Sequence, residues 1–238
     1  MIDNDRLDHL RRPTVTRPLL GLTILAVEDS LYACDALRLM CLHSGARLRR
    51  ADCLKSARRH LQVYRPSVVI IDMGLPDGSG AELIDELHTT LPRVGVILAC
   101  SGDPFVEDVA LAAGADGFLE KPTANLGSFQ HAILQHLPEN ARPCGVRPLR
   151  SDVILPDLVA FREDMAYAAS LLDGPVDDRL ICYVTSFLQG LALWAEDDVL
   201  QDAATELATA QSNGAPVLGS VARLAGVVQA RVQDAVAI

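Results

Sequence analysis

The sequence predicts a doubly wound α/β parallel sheet of five strands, followed by a small all-α helical bundle. Three observations predict it. Between residues 22 and 137 short apolar runs alternate five times with helical patterns, the signature of parallel strands joined by crossover helices. Residues 156–238 read as four helices. The charge also changes abruptly between the two regions. Residues 1–150 hold 17 Lys and Arg against 18 Asp and Glu, whereas residues 151–238 hold 4 against 13, with no Lys and no His.

The elements follow in order. Residues 1–20, with Pro13, Pro18 and mixed charge, read as a loose arm. The apolar runs at 22–27 and 67–72 read as buried strands, 46–51 as a more polar strand, and 95–100 and 116–120 as the fourth and fifth strands. Helices are expected over 31–44, 54–64, 80–91, near 105–113 and near 123–137. These make a first domain over 21–137. Three prolines and a glycine within 138–155, with Pro156 directly after, mark that stretch as a linker, because proline blocks helix continuation. The second domain spans 156–238. Its first helix stops at Asp173-Gly174-Pro175 and its third at Ser212-Asn213-Gly214. The last helix carries Val217, Leu218, Val221, Leu224, Ala225, Val228, Val232 and Val236 in a broad apolar stripe. The stripe fits a bundle that is complete in itself or completed by a second copy of the chain.

Composition excludes several classes. A net charge of −10 argues against generic affinity for nucleic acid or an anionic membrane. The charged N-terminus lacks the apolar core of an export signal. The longest uncharged apolar stretch, 180–195, has 16 residues, short of the roughly 20 needed to span a bilayer. Six cysteines form no Cys-x-x-Cys pair and none has a His at metal-ligand spacing, as expected of reduced thiols in a cytoplasmic protein.

In doubly wound sheets the ligand crevice lies beyond the carboxyl ends of the strands. Those positions hold Glu28, Asp29 and Ser30 after the first strand and Asp72 at the end of the third. Ser101-Gly102 follows the fourth strand and Lys121-Pro122 the fifth. Clustered carboxylates repel one another unless a cation sits among them, and oxygen ligands on short loops suit Mg²⁺. The chemistry that fits is phosphoryl transfer to a carboxylate. Asp72 is placed to attack, Glu28 and Asp29 to hold Mg²⁺, and Lys121 and Ser101 to contact the phosphoryl oxygens. The lysine is informative because the chain uses 19 Arg and only two Lys, and an ammonium is not interchangeable with a guanidinium at a phosphate site.

The blocks LTILAVEDS, IIDMGLPDGSG, LACSG and GADGFLEKP resemble, in order and spacing, the motif blocks of the receiver domain of two-component response regulators. The resemblance covers about 22–137 and implies a flavodoxin-like fold. It implies that Asp72 is the phosphoacceptor and that Glu28, Asp29, Asp72 and the Met73 backbone carbonyl hold Mg²⁺. Ser101 and Phe118 match the hydroxyl and aromatic switch pair, and Lys121 the family's lysine, with a cis bond to Pro122. The partner it implies is a sensor histidine kinase or a phosphotransfer protein. Any catalysis is confined to the chain's own phosphoryl transfer and dephosphorylation.

Two charged regions stand apart from that pattern. Arg47, Arg49, Arg50, Lys55, Arg58, Arg59 and Arg65 form a basic cluster opposed only by Asp52. It reads either as protection of an edge strand or as a dock for an acidic surface. Glu107, Asp108, Asp116 and Glu120 make the fourth-helix to fifth-strand face acidic, which disfavours dimerisation through acid–base pairs there. The second domain is expected to signal by protein contact, as a homodimer or with a partner. A transcription regulator with an unrecognised DNA-binding tail is the alternative, and a domain of net charge −9 with four Arg argues against it. Two fainter patterns are Ala222-Arg223-Leu224-Ala225-Gly226, which resembles a phosphotransfer motif with Ala in place of His, and Asp197 with Gln201, at the acid-x-x-x-Gln spacing of a helical phosphatase. The first implies an inactive docking module.

Overall fold

In a computed structural model of the chain, which describes residues 12–123, 125–145, 152–174 and 177–234, the five apolar runs form one parallel sheet. Its strands are β1 (Thr23–Val27), β2 (Arg47–Ala51), β3 (Val68–Asp72), β4 (Val96–Ser101) and β5 (Gly117–Glu120), in the order β2-β1-β3-β4-β5. By its internal contacts the chain separates into two units. One holds residues up to Asp29 together with Ala36–Leu155, and the other holds Ser30–Asp35 together with residues from Pro156 onward.

Burial explains the strand sequences of the first unit. Every residue of β3, VVIID, is buried, as required of a central strand covered on both faces. By contrast β2, RLRRA, is an edge strand that alternates in exposure. The helices are α1 (Leu31–Ser44), α2 (Leu54–Val63), α3 (Gly80–Thr89), α4 (Glu107–Ala112) and α5 (Leu126–Leu134). Ser79 and Glu82 form a capping box at the start of α3. The first turn of α2 is capped by Asp77, whose carboxylate accepts from the Leu54 and Lys55 amides at 2.8 and 2.9 Å.

The structure revises several expectations. Helix α5 begins at Leu126 rather than near 123, because the Asn125 side chain accepts from the Ser128 amide and so sets the start. The loop after β3 contains an antiparallel ribbon, Gly74–Leu75 with Gly78–Ser79. Part of the expected loose arm is packed: Leu19 is fully buried and its amide donates to the Ser44 carbonyl at 2.9 Å. Residues 1–11 of that arm lie outside the described residues. The end of the expected linker also packs. Ile154 is buried, Val153 bridges Asn125, and the Asp152 carbonyl accepts from Leu126.

The second unit contains α6 (Leu158–Leu172), α7 (Asp178–Ala195), α8 (Asp198–Ser212) and α9 (Leu218–Asp234). Asp157, Asp177 and Asp197 cap α6, α7 and α8 with their side chains. The core includes Met165, Val184, Leu188, Leu191, Leu200 and Leu207. Helix α9 packs against α6 and α8. Its stripe therefore finds cover within one chain: Leu224 and Val228 are fully buried, and Val217, Val221, Ala225 and Val232 are half-buried. Covering that stripe does not require a second copy. Leu218 of the same set is exposed, and Val236 lies outside the described residues. Within this unit the buried Asp164 carboxylate accepts from the Ser30 hydroxyl at 2.8 Å and from the Leu31 and Tyr32 amides at 2.9 and 3.0 Å. Tyr32 meets Phe161 edge-on, with ring centroids 5.6 Å apart. Among the described residues no helix is long and apolar enough to cross a membrane.

Candidate functional site

The strand order reverses between β1 and β3, so a crevice opens at their carboxyl ends. Four charged side chains meet there. Asp72 ends β3, Glu28 and Asp29 follow β1, and Lys121 follows β5. Glu28, Asp29 and Asp72 each offer an oxygen within 4.8 Å of the others. The Lys121 Nζ lies 2.8 Å from Asp72 Oδ2 and 2.7 Å from Glu28 Oε2. Glu28, Asp72 and Lys121 are buried, and Asp29 is half-buried.

The backbone around these groups is held on every side. The Arg50 guanidinium donates to the Glu28 carbonyl at 3.2 Å and to the Asp29 carbonyl at 2.6 Å. The Gly74 amide donates to Asp72 Oδ1. Met73 donates through its amide to the Cys100 carbonyl, and its own carbonyl accepts from Gly80 at 3.1 Å. A carbonyl has two lone pairs, so that bond leaves Met73 able to ligate a cation. Gly80 is required by close approach, because a Cβ there would sit 2.1 Å from the Asp72 carbonyl oxygen.

The electrostatics are those of a site made for a cation. Burial pushes the Glu28 carboxyl up to about 8; Lys121 opposes the rise, and Asp72 and Asp29 add to it. For Lys121 burial disfavours the charge, but Asp72 and Glu28 outweigh it and raise the ammonium well above its usual range. Burial likewise raises the Cys100 thiol beside them. One ammonium thus balances three carboxylates, and burial still holds Glu28 toward its neutral form. A divalent cation would supply the missing positive charge. The donor set is all oxygen, two or three carboxylates with a carbonyl alongside, and it fits Mg²⁺.

The remaining sequence-predicted residues border this cluster. Ser101 ends β4, half-buried, and its hydroxyl accepts from the Asp103 amide. Phe118 lies on β5, in register with Ala99, half-buried against the core of the sheet. Among the described residues no hydrogen bond joins Ser101 to Asp72. The Lys121–Pro122 bond is cis, as the resemblance implies. Sequence reasoning missed Arg50, which looked like one member of a basic cluster; it reads Gly80 as shaping the tight loop after Asp72, and the backbone contact there gives the physical reason. The Asp197–Gln201 spacing has a structural origin. Asp197 caps α8 and forms a bidentate pair with Arg231 at 2.6 and 3.0 Å, which holds its carboxyl below the usual range.

The α/β unit has relatives among known proteins. Residues 24–133 match the family model of the response regulator receiver domain. That segment is a receiver domain. Relatives of the receiver include the KDP operon transcriptional regulatory protein KdpE of Escherichia coli (strain K12), 32% identical over 126 residues, or 53% of this chain and 56% of that protein. The transcriptional regulatory protein PhoP of the same strain is 28% identical over 100 residues, 42% of this chain and 45% of its own. The chain therefore spans about half the length of the curated relatives it matches. Among solved structures, a putative response regulator from Chloroflexus aurantiacus J-10-fl is 24% identical with a TM-score of 0.46, covering 48% of this chain and 96% of that one. The receiver accounts for the α/β unit, and the helical unit after it is unassigned.

Proposed function

We propose that this protein is a two-component response regulator that takes a phosphoryl group onto Asp72 and signals through protein contacts of its acidic helical unit. The observation that carries the reading is the Asp72 carboxylate, ion-paired to Lys121 at 2.8 Å within a cluster of three carboxylates. An Asp72 oxygen attacks the phosphorus of a phosphohistidine on a sensor kinase or phosphotransfer protein. The phosphorus–nitrogen bond breaks as the phosphorus–oxygen bond forms, and the imidazole leaves with the electron pair. Lys121, already beside Asp72, balances the new phosphoryl charge, and the Ser101 hydroxyl donates to a phosphoryl oxygen. Glu28, Asp29, Asp72 and the Met73 carbonyl would hold Mg²⁺. When bound, that ion neutralises charge developing on the transferred group. Phosphorylation shifts an existing equilibrium in which Ser101 and Phe118 move together. The chain's catalysis is confined to its own phosphoryl transfer and hydrolysis, and the reading places it in the cytoplasm.

The test is labelling with acetyl phosphate. Uptake is expected only with Mg²⁺ and is lost in Asp72→Asn; label that persists in that variant refutes the assignment. The relatives' description as transcriptional regulators favours a second reading, in which the tail binds DNA. Against it, two of the four arginines in residues 151–238, Arg223 and Arg231, already pair with Glu206 and Asp197. Salt-dependent binding to duplex DNA would establish that second reading in place of protein contact.

A further inference from the structure

The basic cluster around residues 47–65 is only partly absorbed by the receiver site. Arg50 holds the acidic pair, and Arg58 pairs with Glu86. Arg47, Arg49 and Arg59 instead converge on a cleft of about 560 Å³ whose remaining walls are Thr23, His60, Val63 and Tyr64. We propose that this cleft binds a phosphate-bearing ligand of about mononucleotide size.

Arg47 and Arg49 stand two apart on edge strand β2 and so share one of its faces. Arg59, His60 and Val63 come from the C-terminal half of α2, and Tyr64 directly follows it. Among the described residues no carboxylate lies within ion-pair distance of any of the three arginines. Protection of an edge strand accounts for Arg47 and Arg49, and the negative end of the α2 dipole for Arg59 and His60. Neither accounts for three guanidiniums meeting around one concavity. Planar guanidinium forks match phosphate oxygens in pairs, and three of them suit a ligand with several negative charges. The cleft also offers an apolar surface. Val63 is 83% exposed, and the Tyr64 ring is fixed by a 3.0 Å hydrogen bond between its hydroxyl and His60 Nδ1. Burial raises the Tyr64 phenol and Arg49 opposes the rise, and both residues line the cleft. A planar base fits against such a ring, and the volume lies within the roughly 300–1,000 Å³ of small-molecule pockets. The cleft includes Thr23 and Arg47, at the amino ends of β1 and β2, whereas Asp72 and Lys121 lie at carboxyl ends. It is therefore a separate site, independent of the phosphoacceptor reading.

Calorimetric titration of the full chain, in EDTA, with ATP, pyrophosphate and adenosine tests the proposal. One ATP is expected to bind per chain with a dissociation constant on the order of 10–100 μM. Pyrophosphate is expected to bind more weakly, and adenosine not at all. Arg49→Ala and Arg59→Ala should each weaken ATP binding about tenfold, with circular dichroism unchanged. Arg65→Ala, outside the cleft, should change it by less than about twofold, and Asp72→Asn should not change it. Three results would overturn the proposal: no saturable binding up to about millimolar ATP, a loss in Arg65→Ala equal to that in Arg49→Ala, or displacement of ATP by polyglutamate but not by pyrophosphate. The second would mean diffuse attraction, and the third an acidic polypeptide as the natural occupant.

Discussion

Glu28 shows how the receiver site sets function against stability. Its carboxylate is 1% exposed, and burial raises it to about 8 even with Lys121 at 2.7 Å. The folded protein without metal thus carries a group that would be more comfortable neutral. Replacing it with a neutral isostere should remove that cost along with a metal ligand. Glu28→Gln is expected to weaken Mg²⁺ binding by about tenfold or more while leaving metal-free stability equal or higher. Calorimetry with Mg²⁺ and chemical denaturation in EDTA read the two effects separately, and a large loss of metal-free stability would contradict the argument. Lys121→Met should act in the opposite sense. It strands two buried carboxylates, and removing one partner of a buried pair typically costs about 3–5 kcal/mol. Added Mg²⁺ should restore part of that loss in a denaturation series, because a cation among Glu28, Asp29 and Asp72 would replace the missing positive charge.

At the scale of elements, the strand ends were legible because each motif block joins an apolar run to polar residues at one sheet edge. The run SVVIID followed by MGLPDGSG marks a buried strand, its terminal carboxylate and a turn within a single stretch. What stayed hidden depends on contacts distant in sequence or made by backbone. Asp77 caps α2 across 23 residues, and Asp164 caps Leu31 and Tyr32 across 133 and 132. No local pattern announces such pairings, since a loop or surface Asp reads the same with or without them. Gly80 is legible as a glycine that shapes the loop after Asp72, but the contact that requires it is not. Gly80 begins α3, and any Cβ there would meet the Asp72 carbonyl at 2.1 Å. Gly80→Ala must therefore displace the start of α3, the end of β3, or both. We expect a stability loss of about 1–3 kcal/mol, similar to other overpacking substitutions, and slower uptake of phosphoryl from acetyl phosphate. Circular dichroism melts and labelling rates measure the two, and unchanged labelling would show that Asp72 tolerates the shift.

For the molecule as a whole, the acidic helical unit has to remain folded despite its own charge. Residues 151–238 carry a net charge of −9, and their mutual repulsion works against a compact bundle. Two features offset it. Helix α9 buries Leu224 and Val228 among its neighbours, and Arg231 of that helix grips Asp197 at the start of α8 through two hydrogen bonds. Leu224→Ala is expected to cost about 2–5 kcal/mol of bundle stability, as an intrachain core residue should, without changing the oligomeric state seen by light scattering. The ion pair makes a different prediction, one that depends on pH. The Arg231 hydrogen bond is the main cause holding the Asp197 carboxyl below its usual 3.8, so the folded state binds that proton less readily than the unfolded state does. Its contribution is then fully present above the ordinary carboxylate range and is lost as pH falls through the lowered value. Trp194, the single tryptophan and nearly buried on α7 of this unit, provides the reporter. Denaturation followed by its fluorescence should show Asp197→Asn less stable than the parent at pH 7. The gap should narrow below about pH 4 and vanish once the parent's carboxylate is protonated. A gap that stayed constant down to that acid limit would mean that the lost stability does not come from the carboxylate's charge, and so not from its pair with Arg231.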